Sequence, residues 1–333
     1  MSAHKKNILF VGPRFFGYEV SICKALEANG YAVDFYDERT SNNSFMKAVF
    51  RVKKDLLTAI VEKYYNNITE LIKNNDYDFF FLLKGEVVPQ SFIVDFKKNN
   101  PKAKLIYYTY DSINNNNKNS MYILKHFDKC FSFDFNDTKK HPSLKLKHLF
   151  YSKEYPERRK LAQDRKYTLS FVGTLHSNRY AIIKSLMANF KNTFVFFFSP
   201  AKWFFWFEKT FKSHYKDISW ADVSFDKLTQ QDVADIFGNS KSVLDIQRFG
   251  QTGLTMRTFE VLAAGAILVT TNSAIREVDF FDPNFIVVVD DINDAKNTVE
   301  ITKRTDALRG GILEINPKFE QYFVNNWIKE FFE

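Results

Sequence analysis

Residues Ser242 to Asn272, SVLDIQRFGQTGLTMRTFEVLAAGAILVTTN, constrain the fold of this 333-residue chain more than any other segment. The apolar run Ser242–Ile246 reads as a buried strand. A loop carrying Gly250 and Gly253 follows, then a helix opened at its first turn by Thr255 and running to Ala264, then a second strand, Ala266–Thr271. Strand, crossover helix and strand form a right-handed parallel unit. A strand end, a glycine-bearing turn and a helix N-terminus bring unpaired backbone N–H groups to the positive end of a helix dipole, which suits a phosphate. Glu260, set in the helix just before VLAAG, is a lone acid one or two turns further on and within reach of a ribose.

The same alternation runs through the whole chain. Asn7–Val11, Tyr31–Tyr36, Asp78–Leu83, Lys104–Thr109, Lys129–Phe133 and Leu146–Phe150 read as strands of an N-terminal array. Helices are expected at Tyr18–Ala28, closed by Gly30, over about Phe45–Asn74, and at Pro89–Lys98. Asn114–Asn117 reads as a surface turn. Tyr151–Lys166, with its proline and dense charge, breaks the pattern and reads as a boundary. A second array follows: strands at Thr168–Val172, Thr193–Phe198, Ser242–Ile246, Ala266–Thr271 and Phe285–Val289, with helices at Arg179–Asn189, Ala201–Lys212, Gln230–Phe237 and Thr255–Ala264. Lys318–Phe332 is expected to be one helix. The expectation is an α/β protein with two Rossmann-like domains, 1–155 and 156–333, facing across a cleft, the last helix packing back on the N-terminal domain.

Composition excludes several classes. Hydrophobic residues at 45% and charged residues at 26% describe an ordered globular chain. Two cysteines, Cys23 and Cys130, are too few for a disulfide framework and lack metal-ligand spacing. No apolar run approaches the length of a transmembrane helix, and no secretory leader precedes the first strand, so a cytoplasmic protein is expected. The net charge of +8 is uneven: residues 1–160 hold 27 Lys and Arg against 18 Asp and Glu, whereas the remainder holds 20 against 21. A basic half without a helix-turn-helix, zinc spacing or RNP-like strand argues against nucleic acid. It suits an anionic membrane surface, a phosphate-bearing acceptor or simple solvation.

The motifs Gln247-Arg248-Phe249, Gly250-Gln251-Thr252-Gly253-Leu254, Thr255-Met256-Arg257-Thr258-Phe259-Glu260 and Ala263-Ala264-Gly265 resemble the C-terminal domain of GT-B glycosyltransferases. The closest likeness is to the branch of spore-maturation (CgeB-like) and bacterial surface-polysaccharide enzymes. Phe171-Val172-Gly173-Thr174 with His176-Ser177-Asn178-Arg179-Tyr180 is similar to the start of their donor-binding domain. In the wider superfamily two glutamates stand eight apart, and the second holds the ribose. Glu260 matches the second, and Thr252 stands where the first would be. The resemblance implies a cytoplasmic glycosyltransferase that moves a sugar from a nucleotide-sugar donor to a surface polysaccharide, lipopolysaccharide or other glycan acceptor, peripheral at the inner face of the membrane where that acceptor is lipid-linked. Closure across the linker would exclude water. A non-catalytic nucleotide-sugar-binding or scaffold protein and a nucleotide-sugar epimerase stay open as alternatives.

The candidate site residues follow. Arg248, Arg257 and Arg179, with Gly173, Thr174, Gly250, Gly253 and Thr255, are expected around the donor diphosphate, whose charge grows as the glycosidic bond breaks. With arginines and backbone N–H groups in that role, no cofactor and no metal is expected. Glu86 and Asp111 each lie just past a strand end, where a base for the acceptor hydroxyl belongs; a turn-forming role is the alternative for Asp111. Pro200–Tyr215, PAKWFFWFEKTFKSHY, carries aromatics on more than one helical face. Interfacial anchoring and packing against neighbouring elements both fit it.

Overall fold

Short apolar runs become two parallel sheets. The computed structural model describes residues 5–39, 54–113, 119–176, 179–247, 251–291, 294, 296–308 and 310–333. The expected turn Asn114–Asn117 and the first part of the helix predicted from Phe45 lie outside them; the described part of that helix is Lys54–Ile72. The chain divides into two units. The first holds Met1–Leu149, Gly250–Gly253 and Val324–Glu333, and the second Phe150–Phe249 and Leu254–Phe323.

The first unit contains β1 (Asn7–Gly12), β2 (Ala32–Asp37), β3 (Phe79–Leu83), β4 (Lys104–Thr109), β5 (Lys129–Ser132) and β6 (Lys145–Leu146). They form one sheet in the order β2-β1-β3-β4-β5-β6, every pair parallel. β3, FFFLL, is buried throughout because both sheet faces are covered. Phe80, Leu82, Leu105 and Tyr107 point to one face, into a core with Tyr65, Phe92 and Phe96 of the helices Lys54–Ile72 and Gln90–Asn99. The alternate residues face the C-terminal segment: Phe331 lies 5.2 Å from Phe81 and 5.0 Å from Phe131, and Trp327 lies 5.3 Å from Tyr108. The Phe-rich composition thus serves this core.

The expected single helix Lys318–Phe332 is instead a 3₁₀ segment, Pro317–Tyr322, and two short helices, Val324–Trp327 and Lys329–Phe332. The chain goes extended at Phe323 because its aromatics have two destinations: Phe319 and Tyr322 pack on Phe259, and Trp327 and Phe331 on the first sheet.

The second unit contains β7 (Tyr167–Thr174), β8 (Thr193–Phe198), β9 (Val223–Ser224), β10 (Ser240–Asp245), β11 (Ile267–Thr270) and β12 (Ile286–Val288), again all parallel. The order β12-β11-β10-β7-β8-β9 runs outward in both directions from β7 and β10. Those two strands are therefore the switch point of a doubly wound sheet, where ligands bind beyond the carboxyl ends. Sequence patterning omits β9, which spans only two residues, and the helix Lys296–Ala307, whose exposed face is almost wholly polar.

The charged segment after Tyr151 is not a free linker. Tyr151, Ser152, Tyr155 and Arg165 are buried. Arg165 donates to the carbonyls of Lys160, Ser240 and Ala264, the last terminating the helix Met256–Ala263 beside Gly265 at φ +71°.

Candidate active site

Beyond the carboxyl ends of β7 and β10, Asp245 closes its strand with 1% exposure and is fully committed. It accepts from Thr255 Oγ1 at 2.7 Å, Arg257 Nη1 at 2.7 Å and Thr258 Oγ1 at 3.1 Å. Thr255 is the N-cap of Met256–Ala263, yet its hydroxyl is drawn to Asp245 and caps no backbone N–H. The positive end of that helix is thus left without side-chain capping, beside a cation.

Arg179 opens the helix Arg179–Met187 and is buried. Its Nη1 donates to Thr174 O at 3.2 Å and its Nη2 to Ile246 O at 2.6 Å, while its Nε finds no partner among the described residues. The Arg179 and Arg257 guanidinium carbons lie 5.7 and 5.3 Å from the centre of the Phe171 ring. Burial, then repulsion from Arg257, pulls Arg179 down to about 10, with Asp245 opposing. Arg257 is paired with Asp245, whereas Arg179 donates to backbone carbonyls, so among the described residues its charge has no carboxylate bonded to it and suits a bound anion.

Gly173 completes the arrangement. A Cβ there would stand 3.0 Å from Arg257 Nη2 and 2.7 Å from the Phe171 ring, so the absent side chain lets the arginine lie over the strand end. The structure therefore brings Gly173, Thr174, Arg179, Thr255 and Arg257 together. Arg248 and Gly250 lie outside the described residues. Gly253 uses its N–H on Asp134 Oδ2 at 3.0 Å, within the first unit. Glu260 is buried at 4% exposure on Met256–Ala263, flanked by Phe259 and Val261.

In the first unit a second charged group lies past β2, β3 and β4. Lys84 Nζ sits 2.8 Å from Asp111 Oδ2 and 3.1 Å from Glu86 Oε2. Arg39 Nη2 donates to the same Glu86 oxygen at 2.8 Å. Burial works to raise Glu86, but Lys84 and Arg39 outweigh it and hold its carboxyl below the usual range. Lys84 turns into this group on a left-handed backbone at φ +76°, followed by Gly85 at φ +68°. Beneath them Glu38 is fully buried. Its Oε2 accepts from Glu86 N at 3.0 Å, and its Oε1 has no partner among the described residues. Burial pushes Glu38 up to about 8, against the pull of Lys84 and Arg39 and with a smaller push from Glu86. Asp111 also forms a local turn, with its N–H and C=O both bonded to Thr109 Oγ1.

Sequence reasoning passed over Asp245, Lys84 and Glu38, and weighed Asp134 only as part of an acidic metal motif that its spacing did not support. Each stands at or just beyond the carboxyl end of a strand, the signal that selected Asp111 and Glu86. Among the described residues, no three of His, Cys, Asp and Glu converge as metal ligands.

Residues 196–315 match a family model described as glycosyl transferase-like. Solved structures share the fold over nearly the whole chain. A glycosyltransferase from Rickettsia africae ESF-5 is 14% identical, covers 98% of this chain and 97% of its own, and superposes with a TM-score of 0.60. Anabaena Alr3699/HepE, solved in complex with UDP and glucose, is 12% identical, with coverage of 98% and 99% and a TM-score of 0.57. AviGT4, a glycosyltransferase involved in avilamycin A biosynthesis, is 13% identical, with coverage of 98% and 95% and a TM-score of 0.57. No match was found among the curated proteins. The α/β architecture, two six-stranded parallel sheets among helices, is that of GT-B glycosyltransferases.

Proposed function

We propose that this chain is a glycosyltransferase that moves a sugar from a nucleotide-sugar donor to a glycan acceptor. The observation that carries the reading is the pair Arg179 and Arg257, set against Phe171 at the β7/β10 switch point, with the carboxylate of Asp245 bonded to Arg257 and none bonded to Arg179 among the described residues. A nucleoside diphosphate suits the Arg179 charge, with its phosphate oxygens toward the weakly capped start of Met256–Ala263 and its ribose toward Glu260. As the bond to the sugar breaks, negative charge builds on the diphosphate, and fixed arginines stabilise it without reorganisation. On this reading transfer proceeds without a divalent metal.

The first unit would carry the acceptor, with Asp111 or Glu86 taking the hydroxyl proton. The likeness to Alr3699/HepE, a protein solved with UDP, makes a UDP-sugar the donor to try first. The CgeB-like branch, a surface polysaccharide or lipopolysaccharide acceptor, and a cytoplasmic location at the inner membrane face belong to the same proposal. Their support is the motif from Arg257 to Gly265 and the exposed aromatic helix described below. No helix among the described residues is long and apolar enough to cross a membrane.

Calorimetric titration with nucleoside diphosphates tests the reading. Arg257→Lys keeps a cation beside Asp245 but loses the planar fork, so affinity should fall about tenfold or more. Glu260→Gln should weaken binding with the fold intact. Unchanged affinity in both variants would remove the site. Release of free nucleotide without acceptor separates a working transferase from a binding module, and an isomerised donor would mark an epimerase.

A further inference from the structure

The helix Lys202–Phe211 is built inside out. Residues 203, 206, 207, 210 and 211 recur at i, i+3, i+4, i+7 and i+8, the spacing that normally turns an apolar stripe toward a core. Here that stripe faces solvent: Trp203 is 52% exposed, Trp206 59%, Phe207 48% and Phe211 68%. The packing side is carried by Phe205 and Glu208, both buried. Phe207 and Phe211 lie against each other, with ring centres 4.6 Å apart and planes tilted by 45°. Packing on Tyr215, Trp220 and Phe225 accounts for Phe205 and leaves the exposure of Trp206, Phe207 and Phe211 unexplained.

The charges around the stripe choose its partner. Residues 200–216 hold four lysines against one acid, Glu208, and that acid is paired with Lys212. Lys209 spends its ammonium on the carbonyls of Tyr215, Lys216 and Ile218. Lys202, at the start of the helix, and Lys216, in the segment after it, remain exposed. Tryptophan prefers the boundary between headgroups and acyl chains, and lysines beside it prefer anionic headgroups.

We propose that Lys202–Phe211 lies in the interface of an anionic phospholipid bilayer, with Trp203, Trp206, Phe207 and Phe211 inserted among the acyl chains and Lys202 and Lys216 on the headgroups. This deepens the peripheral placement in the proposed function by assigning its surface and its lipid chemistry. It does not draw on the donor site.

The test is co-sedimentation of the full chain with vesicles of phosphatidylcholine, with and without phosphatidylglycerol, read together with tryptophan emission. Binding to the anionic vesicles with a blue shift is expected. The double variant Trp206→Ser/Phe211→Ser should lose it about tenfold or more, and Lys202→Gln/Lys216→Gln should lose the preference for anionic over neutral vesicles. All four positions are exposed, so nucleotide titration of each variant should match the parent; that titration separates failure here from failure of the donor reading. Absence of sedimentation, or sedimentation unchanged in the aromatic double variant, overturns the proposal. So does a dimer in light scattering that the same variant dissolves, since a second copy would then be the occupant.

Discussion

The carboxylate of Asp134 accepts both the backbone N–H and the hydroxyl of Thr252, each at 2.9 Å. Asp134 is fully buried and also receives Asn136 N, Asp137 N and Gly253 N. Thr252 stands where the resemblance to GT-B enzymes would place the first of two glutamates. A carboxylate there would face the buried Asp134 and displace its donors, so Asp134 and a glutamate at 252 exclude each other.

That relationship predicts the outcome of restoring the superfamily residue. Thr252→Glu should destabilise the protein more than Thr252→Val, which removes one hydrogen bond to a charged group and should cost about 1.5–3 kcal/mol. The double variant Thr252→Glu/Asp134→Asn should recover part of the loss. Thermal denaturation of the three variants measures it, and equal Tm values for the two single variants would count against the argument.

Much of the fold was legible because parallel strands buried on both faces are written as unbroken apolar runs. Lys104–Thr109 and Thr193–Phe198 fall where patterning places them, and the helix Tyr18–Ala28 ends ahead of Gly30 at φ +87°. Lys145–Leu146 was misplaced because two residues carry no period. The fate of the C-terminal segment was illegible because helical spacing cannot say that Tyr322 and Trp327 pack in different units. Around the candidate site, sequence reading named Gly173, Arg179 and Arg257, which the fold gathers around Phe171. Asp245 was hidden: a strand-end acid reads the same whether it faces water or gathers Thr255, Arg257 and Thr258.

Glu38 makes stability depend on pH. Its carboxyl is raised from an ordinary 4.5 to about 8 in the folded protein, chiefly by burial, with Lys84 and Arg39 pulling the other way and Glu86 adding to the rise. The folded state therefore holds the proton more tightly than the unfolded one. The resulting contribution is fully present below about 4.5 and is lost as pH rises through about 8. Glu38→Gln keeps an acceptor for Glu86 N and cannot ionise. The parent should lose Tm relative to this variant as pH rises from about 4.5 to about 8 and no further above that, and parallel Tm curves would refute the assignment.

The two candidate bases are not equivalent. Burial works to raise Glu86, but Arg39 and Lys84, both on its Oε2, outweigh it and hold its carboxyl below its ordinary value. Asp111 meets one of those cations, Lys84. Asp111→Asn should therefore lower the transfer rate about 10²-fold or more, within the range of general-base catalysis, and Glu86→Gln should cost less. Initial rates at saturating donor decide between them, and the reverse order would make Glu86 the base.

Gly173 offers a test at the donor site that changes no charge. Alanine there places a methyl 2.7 Å from the Phe171 ring and 3.0 Å from Arg257 Nη2, so both must shift. The arginine is held at its far end by Asp245, at 2.7 Å, and cannot retreat without leaving a buried carboxylate short of a partner. Gly173→Ala should therefore weaken nucleotide binding through Arg257, with overpacking that costs about 1–3 kcal/mol of stability. Substitution at Gly17, where a Cβ meets nothing within 4 Å but φ is +81°, serves as the control. Backbone strain at Gly17 should lower Tm and leave affinity untouched, whereas Gly173→Ala should move both. If the two variants lose affinity alike, the effect is global and the Gly173–Arg257 contact does not shape the site.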